Sequence, residues 1–351
     1  MTKLIWIVVF INLIGVSDKL GYCQVNRSDE SYLLMLDRNC TFNDISSTHL
    51  NQIATDGPKA KLGVYIVYIG DIDFPNNQYA VRFWAWLVHH KKERRPETHF
   101  EITNAKTYPH FSKTLRIEYE DVIWDQFYGT ATIYQKWQSK YFPFDTQVLK
   151  LIIEPVEEVY EELKVVPDFE ESRLAPNISI SGWTIVDFKM KTDVTIYHTT
   201  SGDPKAIKGT VSKYSKIEFH ITIKRKGGST FSFLFIGMIT ATFLCILTLM
   251  SNIFDFEKDF TLGALFVAIG SQYIINSNLP QGAEFGLSHS IGIITFFGVG
   301  CSAITTLFVQ KLSHYQPKTV TIYKLLNWIL LILFISLQFG INGYFLYHAF
   351  L

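Results

Sequence analysis

Lys216-Ile-Glu-Phe-His-Ile-Thr-Ile-Lys224 alternates apolar and polar residues with period two, the pattern of a half-buried β-strand. Arg225-Lys226-Gly227-Gly228 follows, and residues 230–254 are then apolar almost without interruption. A strand therefore runs, with no linker, into a segment long enough to cross a bilayer. The chain of 351 residues carries 32 basic and 32 acidic side chains. After Gly228 only Asp255, Glu257, Lys258, Asp259, Glu284, Lys311, Lys318 and Lys324 remain of these. So uneven a distribution excludes a fully soluble protein, and 48% apolar content excludes a disordered one. The balance of charge excludes a nucleic-acid binder held by a basic face.

Toward the N-terminus, residues 61–228 read as an all-β sandwich. Gly63-Val-Tyr-Ile-Val-Tyr-Ile69 is β-branched and aromatic, and Tyr79-Ala-Val-Arg-Phe-Trp-Ala-Trp86 alternates with period two. Further runs fall at 115–119, 131–137, 147–153, 183–189 and 216–224. Turn residues separate them, among them Asp73-Phe-Pro-Asn-Asn77 and Ser201-Gly-Asp-Pro204. Residues 24–60 form an N-terminal segment of mixed character, partly helical. Residues 1–23 have the charged start (Lys3) and short apolar stretch of a secretory signal, which places the sandwich outside the cytoplasm. Asn26, Asn39 and Asn177 begin glycosylation triplets, a pattern common by chance. Cys23 and Cys40 stand near the start, and Cys245 and Cys301 lie inside apolar runs as packing residues.

Toward the C-terminus, residues 229–351 hold four apolar segments, at 230–254, 260–276, 288–312 and 325–350. The second spans about 30 Å only with its polar ends, from Glu257 to Asn278. Its Thr261, Gly263, Gly270, Ser271 and Gln272 suit a helix sheltered by neighbours rather than wrapped by lipid. Four spans after a signal put both termini outside the cell membrane. Residues 313–324 then form a cytoplasmic loop of about a dozen residues, whose Lys318 and Lys324, with Lys311, meet the positive-inside tendency.

Tyr141-Phe142-Pro143-Phe144-Asp145-Thr146-Gln147, followed by alternating residues to Ile153 and by Glu154-Pro155, resembles the signature loop of the pentameric ligand-gated ion channels, the Cys-loop receptor superfamily. Asn278-Leu279-Pro280 closes the second helix as in that family. The resemblance covers about residues 63–351. It implies an exported immunoglobulin-like sandwich followed by a four-helix transmembrane bundle, assembled as a homopentamer in the lipid bilayer, with no cofactor. Gln135 and Leu149 stand where animal members place two cysteines, and the loop before the last helix is short. Both features resemble the prokaryotic branch. The proline usual in the first span is missing, and Phe235-Ile-Gly-Met238 stands there with a glycine to supply local flexibility.

In five copies the second helix would line a pore. Two stripes compete. Counting back from Asn278 gives Asp259, Gly263, Phe266, Gly270, Tyr273 and Ser277. Counting up from the acidic start gives Glu257, Thr261, Leu265, Ala268, Gln272 and Ile275. The first sets a Phe266 ring at mid-pore and is preferred; on the blander view Gly263 and Gly270 only let helices approach. Asp255, Glu257 and Asp259 make an acidic inner mouth that favours monovalent cations, although carboxylates also suit a helix N-terminus. For coupling, the resemblance implies that Arg225 holds both Asp73 and Asp145, beside Phe142 and Pro143, and acts on the segment from Asn278 through Pro280 to Glu284. The agonist, a small molecule or protons, is expected at Glu154, Tyr197 and Tyr214, although Val156 replaces an expected aromatic. His89, His90, His99, His110, His198 and His220 and the acids from Glu157 to Glu171 are candidate proton sensors or plain surface. Adjacent His89 and His90 point to opposite faces of a strand, so no metal site is expected. The spans hold no His-Glu-x-x-His, no Gly-x-Ser-x-Gly and no aspartate pair, which argues against an enzyme, and no internal repeat, which argues against a transporter. A non-conducting membrane receptor, with helices that only anchor, is the alternative.

Overall fold

The computed structural model describes residues 59–91, 99–156, 158–199, 211–254, 260–312 and 317–350. The signal segment, nearly all of residues 24–60, Cys23 and Cys40 lie outside the described residues. So do Asp255, Glu257, Asp259 and the turn at Ser201-Gly-Asp-Pro204.

Among the described residues ten strands form two sheets. β1 (Lys59–Asp73), β2 (Gln78–His90), β4 (His110–Glu118) and β5 (Val122–Tyr134) join the short β7 (Lys164–Pro167) and β8 (Arg173–Leu174) in a six-stranded sheet. Its order is β4-β5-β2-β1-β7, with β8 also on β1. β3 (Phe100–Ile102), β6 (Thr146–Pro155), β9 (Trp183–Tyr197) and β10 (Ser212–Arg225) make the four-stranded sheet, in the order β3-β6-β10-β9. β7 and β8 pair parallel to β1, and the other pairings are antiparallel. The alternation read in the sequence becomes burial. Val81, Phe83, Ala85 and Leu87 of β2 and Ile217, Phe219, Ile221 and Ile223 of β10 are buried in one core with Leu149, Leu151 and Ile153 of β6. Each such side chain contributes roughly 1.5–3 kcal/mol by leaving water.

Several strands are longer than the alternation indicates, and three short ones were not read at all. β9 continues to Tyr197, past the expected 189, because its partner β10 supplies a ladder out to Ser212. β5 stops at Tyr134 instead of 137, where Gln135 turns its backbone N–H to the Asn77 carbonyl.

Among the described residues four helices follow β10: α1 (Gly227–Phe254), α2 (Thr261–Ser277), α3 (Leu287–Leu312) and α4 (Pro317–Phe350). Among the described residues three stretches are long and apolar enough to cross a membrane: Gly227–Met250, Leu287–Phe308 and Lys324–Ala349. The protein is thus a sheet-rich region over 59–225 followed by membrane-compatible helices. α2, with 17 residues, is shorter than these. At ~1.5 Å per residue its described part is about 25 Å long, against about 30 Å of hydrocarbon.

The expected loop over 313–324 is corrected by α4. Residues 317–324 are helical, and Pro317 opens the helix, where a missing N–H costs nothing and φ is already set. A side chain at Gly237 of α1 would run into Ser271 of α2, so glycine is what lets the two helices touch.

One charged group lies within the buried row of β5. Asp125 sits between Ile123 and Phe127 and receives Lys113 at 3.2 Å, Arg116 at 3.7 Å and His89 at 3.8 Å. Burial alone pushes its carboxyl up. The neighbouring His89 ring and the charges of Lys113 and Arg116 outweigh burial and hold it below the ordinary carboxylate range. Its contribution to stability is therefore complete above about pH 4 and is lost as pH falls through the depressed value. Unfolding midpoints measured in urea should fall below about pH 4, and Asp125→Asn should make that acid limb shallower. Equal slopes in the two proteins would refute the assignment.

Candidate functional site at the sheet–helix junction

The loop from Lys136 to Asp145 leaves β5, reaches the helices and returns into β6. Its descent is fixed by its own amides. Gln147 Oε1 accepts the Gln138 N–H at 3.0 Å, and its Nε2 donates to the Gln138 carbonyl at 2.7 Å and to Asp145 Oδ2 at 2.6 Å. At the neck, Gln135 Nε2 donates across the loop to the Val148 carbonyl at 3.2 Å. The Phe142–Pro143 peptide is cis. Phe142 is buried in the sandwich core, while Phe144 turns the other way and packs with Leu287 of α3 and Phe345 of α4.

Asp145 then meets the end of β10. Arg225 Nε donates to Asp145 Oδ1 at 2.7 Å, and Nη2 donates to Oδ2 at 3.3 Å. The Asp145 side chain is 2% exposed and that of Arg225 13%. The guanidinium also lies 4.1 Å from the Trp183 ring centre, 4.4 Å from Phe74 and 5.0 Å from Phe142. A planar, weakly hydrated cation suits such an aromatic enclosure where an ammonium does not. Phe74 in turn stacks on Trp137 with centroids 4.5 Å apart.

Asp73, the other expected partner, is used differently. Its carboxylate accepts the backbone N–H of Asn76 at 3.0 Å and the Asn76 side-chain amide at 2.7 Å. It thereby closes its own β1–β2 turn, an Asx-type closure that competes with any pairing at distance. What the turn offers Arg225 is the Phe74 ring. Between turn and helices lies a cleft of about 420 Å³, lined by Asp71, Asp73, Gln78, Arg225, Thr230 and Asn278 among others.

The segment after α2 is held by the same loop. Ser139 Oγ accepts the Glu284 N–H at 3.0 Å, and the Lys140 carbonyl accepts the Leu287 N–H at 3.0 Å. Gly286 sits so close beneath Lys140 that any side chain would strike its backbone. Pro280 is buried, and Gly282 takes φ 72, the left-handed turn that glycine allows.

On α2 the two candidate stripes separate. Ala264, Ala268, Ser271, Ile275 and Thr261 are buried against the chain's own helices. Gly263, Gly270 and Ser277 are exposed, with Phe266 67% and Tyr273 76% exposed. A side chain at Gly270 would meet nothing within 4 Å, and one at Gly263 only Leu244 at 3.8 Å. Within the chain these glycines therefore serve no close approach. Asp259, Glu257 and Asp255 lie outside the described residues.

Glu154, Tyr197 and Tyr214 come together on the four-stranded sheet. Tyr197 Oη donates to Glu154 Oε1 at 2.9 Å, and its ring meets Tyr214 edge-on at 5.6 Å. Thr195 Oγ1 donates to Glu154 Oε2 at 2.5 Å, and Glu101 faces Glu154 across the β3–β6 pair. Burial, then the Glu154 hydrogen bond and charge, push the Tyr197 phenol up to about 12. Burial, then Glu154, push the Glu101 carboxyl up as well. Among the described residues no group of three or more His, Cys, Asp or Glu side chains is placed to hold a metal ion.

Sequence reading missed Phe74, Trp137 and Trp183 around Arg225, and Ser139, Thr195 and Glu101. An aromatic in a strand looks the same whether it packs on a core or on a cation, so nothing local marks the first three. No known family model matches the chain, and no curated protein matches it.

Arg225→Ala leaves a buried carboxylate without its cation and should cost about 3–5 kcal/mol. Arg225→Lys should recover only part of this, because one ammonium replaces a fork and a stacking plane. Chemical unfolding of the purified protein measures both. A lysine variant as stable as the original would count against the enclosure.

Proposed function

We propose that the chain is a subunit of a homopentameric ligand-gated channel of the Cys-loop superfamily, of the branch lacking the loop cysteines, selective for monovalent cations. Agonist or proton binding to an exported immunoglobulin-like sandwich opens a pore lined by α2, within a four-helix transmembrane bundle. The observation that carries this reading is the outward face of α2. One chain leaves Gly263, Phe266, Gly270, Tyr273 and Ser277 uncovered on the helix least able to span lipid. Further copies placed around an axis supply the missing neighbours, and a ring of Phe266 side chains closes the path by excluding water. Asp255, Glu257 and Asp259 then gather cations at the inner mouth.

Coupling runs through contacts already in place. β10 continues directly into α1, and its Arg225 grips Asp145. The same loop is hydrogen-bonded to Glu284 in the turn after α2 and to Leu287, the first residue of α3. A shift of β10 therefore moves the loop and the α2–α3 turn together. Glu154, hydrogen-bonded by hydroxyls and facing Glu101, gives the agonist site a preference for positive charge, and the Glu101 carboxyl, pushed up by burial and by Glu154, is its candidate proton acceptor.

Purified protein in liposomes should pass current on agonist or pH steps. Its reversal potential should follow the potassium gradient and ignore chloride. Glu257→Gln should reduce the preference for cations severalfold, and Phe266→Ala should raise the current without stimulus. A reversal potential that follows chloride refutes the selectivity. A correctly assembled protein that passes no current is the anchored, non-conducting receptor instead.

A further inference from the structure

The α4 stretch is the least enclosed of the three membrane-compatible ones, with 22% of it buried against the rest of the chain. Its inward stripe is Asn327, Leu331, Phe334, Gln338, Asn342 and Phe345, and three of these six are amides. In water, apolar packing would suffice to seat such a helix. In lipid it does not, because acyl chains are as apolar as leucine, so packing and hydrogen bonds decide the association.

The amides toward the C-terminal end of α4 form a continuous chain of side-chain hydrogen bonds. Ser290 Oγ of α3 donates to Asn342 Oδ1 at 2.8 Å. Asn342 Nδ2 donates to Gln338 Oε1 at 2.6 Å. Gln338 Nε2 reaches Thr242 Oγ1 of α1 at 3.3 Å and Thr295 Oγ1 of α3 at 3.2 Å, and those two hydroxyls are 3.2 Å apart. Ser290, Thr295 and Asn342 are buried. If α4 slid by one turn, about 5.4 Å, apolar side chains would still meet apolar side chains, but the bonds that cross to α1 and α3, from Ser290 to Asn342 and from Gln338 to Thr242 and Thr295, would break, while the Asn342–Gln338 bond travels with the helix. A buried amide without partners costs on the order of 1–3 kcal/mol.

Phe345 lies three residues beyond Asn342. It belongs to the cluster with Leu287 and with Phe144, the residue before Asp145. We infer that Gln338 and Asn342 are positioning residues that fix the register of α4 along α1 and α3, and through it the seating of Phe345 on the Phe144 loop. The inference rests on the helices being membrane-embedded and is independent of whether the protein conducts.

The test is a double-mutant cycle on the purified full chain in detergent, read as the midpoint of thermal unfolding. Gln338 and Phe345 are seven residues apart, about 10 Å along the axis of α4, so their effects should simply add unless one positions the other. In the unaltered protein Phe345→Ala should lower the midpoint by about 5 °C. In a Gln338→Met background it should lower it by less than half as much, because Phe345 has already left its seat. Met238→Ala in α1 should keep its full effect in both backgrounds. Full additivity of Phe345→Ala overturns the inference, as does an equal loss of effect at Met238, which would mean general loosening. Should Gln338→Met not yield folded protein, Thr295→Val in α3, which removes a partner of Gln338, gives the same comparison with the same two outcomes.

Discussion

A guanidinium enclosed by three aromatic rings and answered by one carboxylate is the point on which the junction depends. Withdrawing both charges of Arg225 and Asp145 from water is costly, and attraction alone seldom repays it. Here the pair is bidentate, the second oxygen of Asp145 also accepts from Gln147, and the flat faces of Trp183, Phe74 and Phe142 replace lost water on the cation. Those groups come from the β1–β2 turn, the loop before β6, the start of β9 and the end of β10. A single cation thus draws four segments to one place, directly above the first membrane-compatible helix.

The arrangement also explains why a basic triplet stands at the top of α1. Of Lys224, Arg225 and Lys226 only the middle residue turns inward, and both lysines are exposed. Period-two alternation continues through Ile223 and Arg225, so the arginine takes the next core-facing position of the strand, where an aliphatic residue would otherwise stand. Gly227 then presses against the Pro143 carbonyl with no room for a side chain. The change from strand to helix is made inside a packed contact rather than in a free linker.

Much of the fold was legible because it obeys simple periods. Alternation in β2 and β10 and uniform apolarity after Gly228 each have one physical reading, and the structure follows them. The short strands β3, β7 and β8 were not legible, since two to four residues carry no period and exist only because β6 or β1 offers a partner edge. Pairing of Asp145 with Arg225 came from resemblance, not from spacing, as 80 residues separate them. Asp73 shows the opposite case. Its local bonds to Asn76 are written in the Asp-Phe-Pro-Asn turn itself, and that nearer chemistry takes precedence over a distant partner. Which face of α2 is buried within the chain is not written in α2 itself, because it depends on which side α1 and α3 occupy.

The neck of the loop is closed by an amide, with Gln135 reaching the carbonyl of Val148. Such a closure forms as the chain folds, without oxidant or isomerase, and reductants have nothing there to cleave. The junction can therefore mature and keep its shape in a reducing environment as readily as in an oxidising one.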